Sequence, residues 1–214
     1  EPLAPSIIAF TLLMLATVTV DGIMETPLWA AAVEFFAGRV GVGVNTTVYM
    51  FLISALLIGG PVALAALYLG VVAIIARVAG SSVTELAGLF VLSLVPISIA
   101  YHLSHYFSLF MVAGQFIIPL ASDPFGYGWD LFGTTLYRID IGIVDAKLIW
   151  YLSVTVIVTG HIIAVWIAHL TAFTVFTDVS AARRSQYPML VLMVGYTILS
   201  LWIIAQPIVE PGAK

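Results

Sequence analysis

The sequence predicts an all-α fold, a polytopic transmembrane helical bundle with about five membrane-spanning helices and one short interfacial helix. Three observations predict it. Hydrophobic residues make up 62% of the 214 and charged residues only 8%, against about 45–50% and 25% in an ordinary soluble domain, so there is too little charge to cover a water-facing surface. Several apolar runs exceed the ~20 residues that a helix rising ~1.5 Å per residue needs to cross a ~30 Å hydrocarbon core. These runs are continuous, whereas the strands of a membrane β-barrel alternate apolar and polar side chains. Residues 1–214 are expected to form one transmembrane domain.

The first span is expected over about residues 6–23, ending where Gly22 and Pro27 punctuate the segment Asp21–Pro27. Residues 28–36 read as interfacial, because Trp29, Phe35 and Phe36 suit the headgroup level. The second span, about 47–75, is longer than a straight crossing needs and contains Gly59, Gly60 and Pro61, so it must tilt, kink or project. It stops at Arg77. Ser82 with Glu85 three residues later reads as a capping box for the third span, about 86–120. Such a run is also too long for one straight crossing, so either Pro96 or Gly114 breaks it or its end stands clear of the bilayer. Residues 121–146 form the one substantial polar stretch and read as a structured outer loop rich in turn formers and aromatics. Asp145 is placed to cap the fourth span, about 146–176; a tight loop with Asp178, Arg183 and Arg184 leads to the fifth, about 189–205. No internal repeat of the kind found in many secondary transporters is visible.

The basic residues predict orientation. Arg77 and the Arg183–Arg184 pair fall on one side of a five-span protein, and short cytoplasmic loops are enriched in such residues. The other side carries eight acidic residues (Asp21, Glu25, Glu34, Asp123, Asp130, Asp140, Asp145, Glu210) against four basic ones (Arg39, Arg138, Lys147, Lys214). The expectation is an N-terminus in the cytoplasm and a C-terminus outside. No basic stretch precedes the first apolar run, so no secretory signal is expected at Glu1. With no cysteine, disulfides, iron–sulfur clusters and thiolate metal sites are excluded. A net charge of −4 without a basic patch gives no sign of a nucleic-acid partner. A soluble ATP-using enzyme is excluded by the want of a phosphate-binding glycine loop and of a globular domain.

Ionisable groups inside a membrane are costly, so each is a functional candidate. All four histidines fall within expected spans. His102 and His105 lie about 60° apart on one face of the third helix. Counted at ~1.5 Å per residue from the cytoplasmic ends, His102 and His161 lie roughly 24 and 22 Å up, with Asp21 near 22 Å and Glu25 one turn beyond it. Asp21, Glu25, His102, His105 and His161 are therefore expected to converge in the outer half of the bilayer. Imidazole nitrogens with carboxylate oxygens suit a transition metal such as Cu, Fe, Zn or Mn, for passage or redox work, with Glu25 as a fifth ligand or outer partner. Alternatively, His102, or His105 in its place, and His161 are axial ligands of a haem b held between adjacent helices. A further alternative is that the histidines only fix helix packing, the chain then being a non-catalytic subunit of a larger respiratory or transport complex. His169, with no carboxylate at its level, is assigned to packing. Asp21 and Glu25 also suit a helix end at the aqueous interface. Gln115, Ser104, Tyr101 and Tyr106 either line a polar path with the histidines or serve helix contacts. An organic-solute transporter ranks below these readings, since no repeat is present.

The aromatic turn around Asp123–Trp129 either caps a cavity, docks a partner or belongs to the interfacial belt. Asn45-Thr46-Thr47 matches a glycosylation sequon, meaningful only in a eukaryotic source. Four segments, Asp-Gly-Ile-Met-Glu-Thr-Pro-Leu-Trp at 21–29, Tyr-His-Leu-Ser-His-Tyr at 101–106, Ser-Asp-Pro-Phe-Gly-Tyr-Gly-Trp-Asp-Leu-Phe-Gly-Thr at 122–134, and Gly160-His161 with Ala168-His169, together resemble a group of uncharacterised bacterial multi-helix membrane proteins. The resemblance covers nearly the whole chain. It implies a bacterial cytoplasmic (inner) membrane and carries no activity or residue roles.

Overall fold

The computed structural model describes residues 3–40, 46–176 and 178–206. Asn45 of the sequon and the tail charges Glu210 and Lys214 lie outside the described residues. The described chain is a helical bundle with no strand. Helix α1 covers Pro5–Met24 and α2 Pro27–Val40, with Thr26 buried between them. Helix α3 is Thr46–Ala79. Next come α4 (Val83–Val91), α5 (Val95–Ala113) and α6 (Ile117–Ser122). Two long helices end the fold, α7 (Ala146–Val175) and α8 (Val179–Ile204). Five stretches are long and apolar enough to cross a membrane: α1, α3, the α4–α6 run over Val83–Ser122, α7 and α8.

Local chemistry explains the boundaries. Helix α3 stops at Gly80, whose φ of 66° is the left-handed conformation that glycine adopts without strain, and its N–H donates to the Ala76 carbonyl at 2.9 Å. Ser82 then accepts from the Glu85 N–H at 3.2 Å, which starts α4 at Val83, three residues before the expected position. Asp145 caps α7 as expected, accepting from Lys147 N–H at 3.3 Å. The third span is interrupted twice rather than once. A 3-10 turn at Leu92–Leu94 precedes Pro96, which sits in the first turn of α5 where its missing N–H is harmless, and a second turn occupies Gly114–Phe116. Pro61, by contrast, is absorbed inside a continuous α3.

One boundary differs from expectation. Arg183 and Arg184 are helical and not in a loop, because Asp178 accepts from the N–H groups of Ser180 and Ala181 and so begins α8 at Val179. Proline 188 lies inside that helix instead of preceding it.

Up-and-down alternation places the α3–α4 and α7–α8 turns at one end of the bundle, and α2 with the 123–145 loop at the other. The core runs through all five long stretches, with Leu15, Val18, Tyr68, Phe90, Ile97, Ile157 and Met193 almost wholly buried. Helices α5 and α7 touch most intimately at Gly160, where a Cβ would stand 2.9 Å from the Pro96 carbonyl oxygen and against the Ala100 methyl. Small residues let membrane helices approach in this way.

Side-chain hydrogen bonds organise the loop. Asp123 accepts from the N–H groups of Tyr127 (2.9 Å) and Gly128 (2.8 Å). Ser122, wholly buried, accepts from Phe132 and Thr134 N–H and donates to Asp130. Asp130 also accepts from the Thr135 hydroxyl at 2.7 Å and its N–H at 3.1 Å. The Thr135 hydroxyl and N–H, helped by Ser122 and Thr134 against some desolvation, hold the Asp130 carboxyl below the usual range.

Two outcomes follow. Gly160→Leu forces α5 and α7 apart and lowers stability by about 1–3 kcal/mol, the usual range for overpacking, seen as a reduced Tm in detergent; Gly195→Ala, with open space around its Cβ inside α8, does not lower Tm. A carboxyl with a depressed folded pKa stabilises above its unfolded value and loses that contribution as pH falls through the folded one. The loop should therefore loosen only below pH 3.8, tracked by Trp129 emission after subtracting the Trp129→Phe spectrum, and Asp130→Asn should abolish that acid transition.

Candidate functional site

Two of the five expected metal ligands meet. Asp21, in the last turn of α1, and His105, midway along α5, form an ion-pairing contact in which His105 Nε2–H donates to Asp21 Oδ2 at 3.0 Å. The Tyr106 hydroxyl donates to the same oxygen at 2.8 Å. Asp21 is 39% exposed and His105 18%, so the pair sits at the edge of the bundle with the carboxylate outermost. The bond fixes the neutral tautomer of His105 as Nε2–H, assigned from its hydrogen bond. The rings of His105 and Tyr106 pack edge to face at 4.8 Å, which holds both donors at one oxygen.

The other three stand apart. Glu25 is the exposed C-cap residue of α1 and takes no part in the pair's hydrogen bonds. His102 donates from Nδ1 to the Ser98 carbonyl at 2.8 Å and packs on Tyr106 at 6.0 Å. His161 donates from Nδ1 to the Ile157 carbonyl at 2.8 Å and stacks on Tyr196 of α8 at 6.2 Å. Among the described residues no three His, Asp or Glu side chains gather at metal-binding spacing. The depth count set Asp21 level with His102 and His161, whereas its partner is His105, because a count along the axis does not register rotation about each helix. Next to His161, Gly160 closes on Ala100 and the Pro96 carbonyl of α5.

The polar residues expected either to line a path or to make contacts divide. Ser104 and Ser153 clamp α5 to α7, each hydroxyl lying against the other's carbonyl at 3.2 and 3.4 Å. Gln115 anchors the loop, donating to the Asp140 carbonyl at 2.8 Å while its own oxygen accepts from Asp140 N–H and the Tyr137 hydroxyl. Tyr101, 1% exposed, stays with the site. Its ring touches both His105 at 6.3 Å and Tyr196 at 6.2 Å. His169, assigned to packing, bonds across to Gln186 of α8 at 2.7 Å.

Sequence reasoning missed Tyr196 and Thr19. Their hydroxyls share a short hydrogen bond between α8 and α1, and Tyr196 also donates toward the Leu15 carbonyl at 3.3 Å. Neither residue carries a signal in an apolar run, because only the α1–α8 contact pairs them. Beside them a cavity of about 470 Å³ opens between α1, α3 and α8, with Thr19 and Tyr196 its polar lining residues and Gly60 and Gly195 on its walls.

The arrangement gathers exchangeable protons: one carboxylate oxygen accepts from an imidazole N–H and from a phenol O–H. Asp21→Leu leaves His105 Nε2–H and the Tyr106 hydroxyl unpaired and should cost about 1–3 kcal/mol, whereas Glu25→Gln should leave Tm unchanged. No protein-family model, curated protein or solved structure matches this chain.

Proposed function

We propose that this chain is an integral membrane protein that exchanges protons at the Asp21–His105–Tyr106 cluster, as part of moving protons or of coupling them to another solute. The observation that carries the reading is the convergence of the His105 imidazole and the Tyr106 phenol on one oxygen of Asp21, on helices apolar enough to span a membrane. Ionisable groups on membrane-spanning helices are rare and usually serve ion or proton pathways. No Lys or Arg is hydrogen-bonded or ion-paired to Asp21 among the described residues, so its charge is balanced only by a group that can itself gain or lose a proton. The resemblance noted for the sequence supports a bacterial cytoplasmic membrane. Arg77, Arg183 and Arg184 at one end of the bundle support placing that end in the cytoplasm, the N-terminus inside and the C-terminus outside.

The loop supports a second, compatible reading, a place within a larger membrane assembly. Phe125, Phe132 and Leu136 are 68%, 71% and 92% exposed on a rigid scaffold outside the spans, and a patch of this kind is typical of interaction surfaces. Purification in mild detergent that always yields stoichiometric companion chains would support it.

The test of proton exchange is flux into proteoliposomes loaded with a pH-sensitive dye under an imposed potential. Wild type should acidify or alkalinise the lumen faster than protein-free vesicles, and Asp21→Asn or His105→Leu should slow this by ~100-fold, the usual weight of one proton-transferring side chain. Flux equal to that of empty vesicles, or unchanged in Asp21→Asn, would overturn the reading.

A further inference from the structure

Ser98, Tyr101 and His105 stand at i, i+3 and i+7 on α5, a spacing that puts all three on one helix face. His105 holds the upper end through Asp21. Below it polar atoms run out of protein partners. The Ser98 and Tyr101 hydroxyls and His161 Nε2 are buried without a hydrogen bond, in residues only 3%, 1% and 6% exposed. Buried polar atoms in native proteins are nearly always bonded, to protein or to ordered water.

These groups also complement one another. His161 commits its Nδ1–H to Ile157, so Nε2 is an acceptor, while each hydroxyl can donate and accept. Ring contacts join them without a break: His105 to Tyr101 at 6.3 Å, Tyr101 to Tyr196 at 6.2 Å, and Tyr196 to His161 at 6.2 Å. On the opposite wall, a Cβ at Gly22 would stand 2.9 Å from the Tyr101 hydroxyl, so that atom comes close to the α1 backbone only because residue 22 lacks a side chain, and it finds no partner there. Water, which both donates and accepts, matches the chemistry of each of the three atoms.

We propose that a short file of water molecules, bound along this face of α5, joins the Asp21–His105 pair to His161 and carries the exchanged proton into the middle of the bundle. The file's role rests on the proton-exchange reading; its existence does not. It ends at His161, because the next polar pair on α7 and α8, His169 with Gln186, lies ~12 Å further along the axis, beyond Ala164, Ala168, Met189 and Met193, all buried.

The experiment is water-edited solid-state NMR on the full chain in lipid bilayers, with labelled histidine and tyrosine. Magnetisation should pass from water to the Tyr101 and His161 rings, but not to Tyr68, which is equally buried and bonded to the Ala87 carbonyl at 2.6 Å. Tyr101→Phe with Ser98→Ala should remove the His161 signal and slow proteoliposome flux about tenfold, while the contact between His105 and Asp21 persists in the spectra. Tyr101 and His161 as dry as Tyr68 would overturn the file even if flux still needs Asp21. Wet rings without any flux would keep the file and overturn the proton-exchange reading instead.

Discussion

Hydrocarbon offers no hydrogen bonds, and this constraint governs the placement of nearly every polar atom in the bundle. A donor or acceptor facing lipid must find its partner within the chain. The hydroxyl residues of the spans meet the requirement locally, bonding to the carbonyl one turn back: Thr11 to Ile7, Thr19 to Leu15, Thr159 to Thr155, Thr171 to Ile167 and Ser200 to Tyr196. His102 and His161 do the same through Nδ1. Asp21 cannot, since a carboxylate needs donors and the backbone N–H groups of α1 are committed to the helix. It must draw on α5, and the pairing with His105 and Tyr106 follows from that need.

Close helix contact is the second requirement, because lipid does not drive helices together as water does. The bundle meets it with small residues at the crossings. Gly160 brings α7 onto Pro96 and Ala100, Gly60 admits Val20, and Gly22 leaves room for Ile203 and the Tyr101 hydroxyl. The same contacts that tie the helices also set the level of the site: with α7 seated on α5 at Gly160, His161 next to it is turned to Tyr196. Packing and chemistry are thus one arrangement here, with Tyr196 touching α1, α5 and α7 at once.

Beyond the spans the constraint reverses. Water can satisfy the backbone, yet the 123–137 loop is bonded internally through Ser122, Asp123 and Asp130, with Gly126, Gly128 and Gly133 at φ of 69°, 79° and 70° where its turns need left-handed residues. Its aromatic rings stand outward on that frame. A rigid display of this kind loses little conformational freedom when it meets a membrane surface or a partner.

The sequence alone determined that the chain is a helical bundle and roughly where five spans run, because apolar run length and the signals at Ser82 and Asp145 act over a few residues. It also put Asp21 and His105 among five residues expected in the outer half of the bilayer, since depth along a helix is a count, without singling out that pair. Tertiary structure decided the rest. Whether His102 or His105 faces α1 depends on helix rotation, which run length does not encode, and the five candidate ligands separated for that reason. Tyr196 and Thr19 meet across 177 positions of chain, and His161 lies beside them only because Gly160 seats α7 on α5. Such meetings are set by which helix faces which, a property of the packed bundle and not of any one segment.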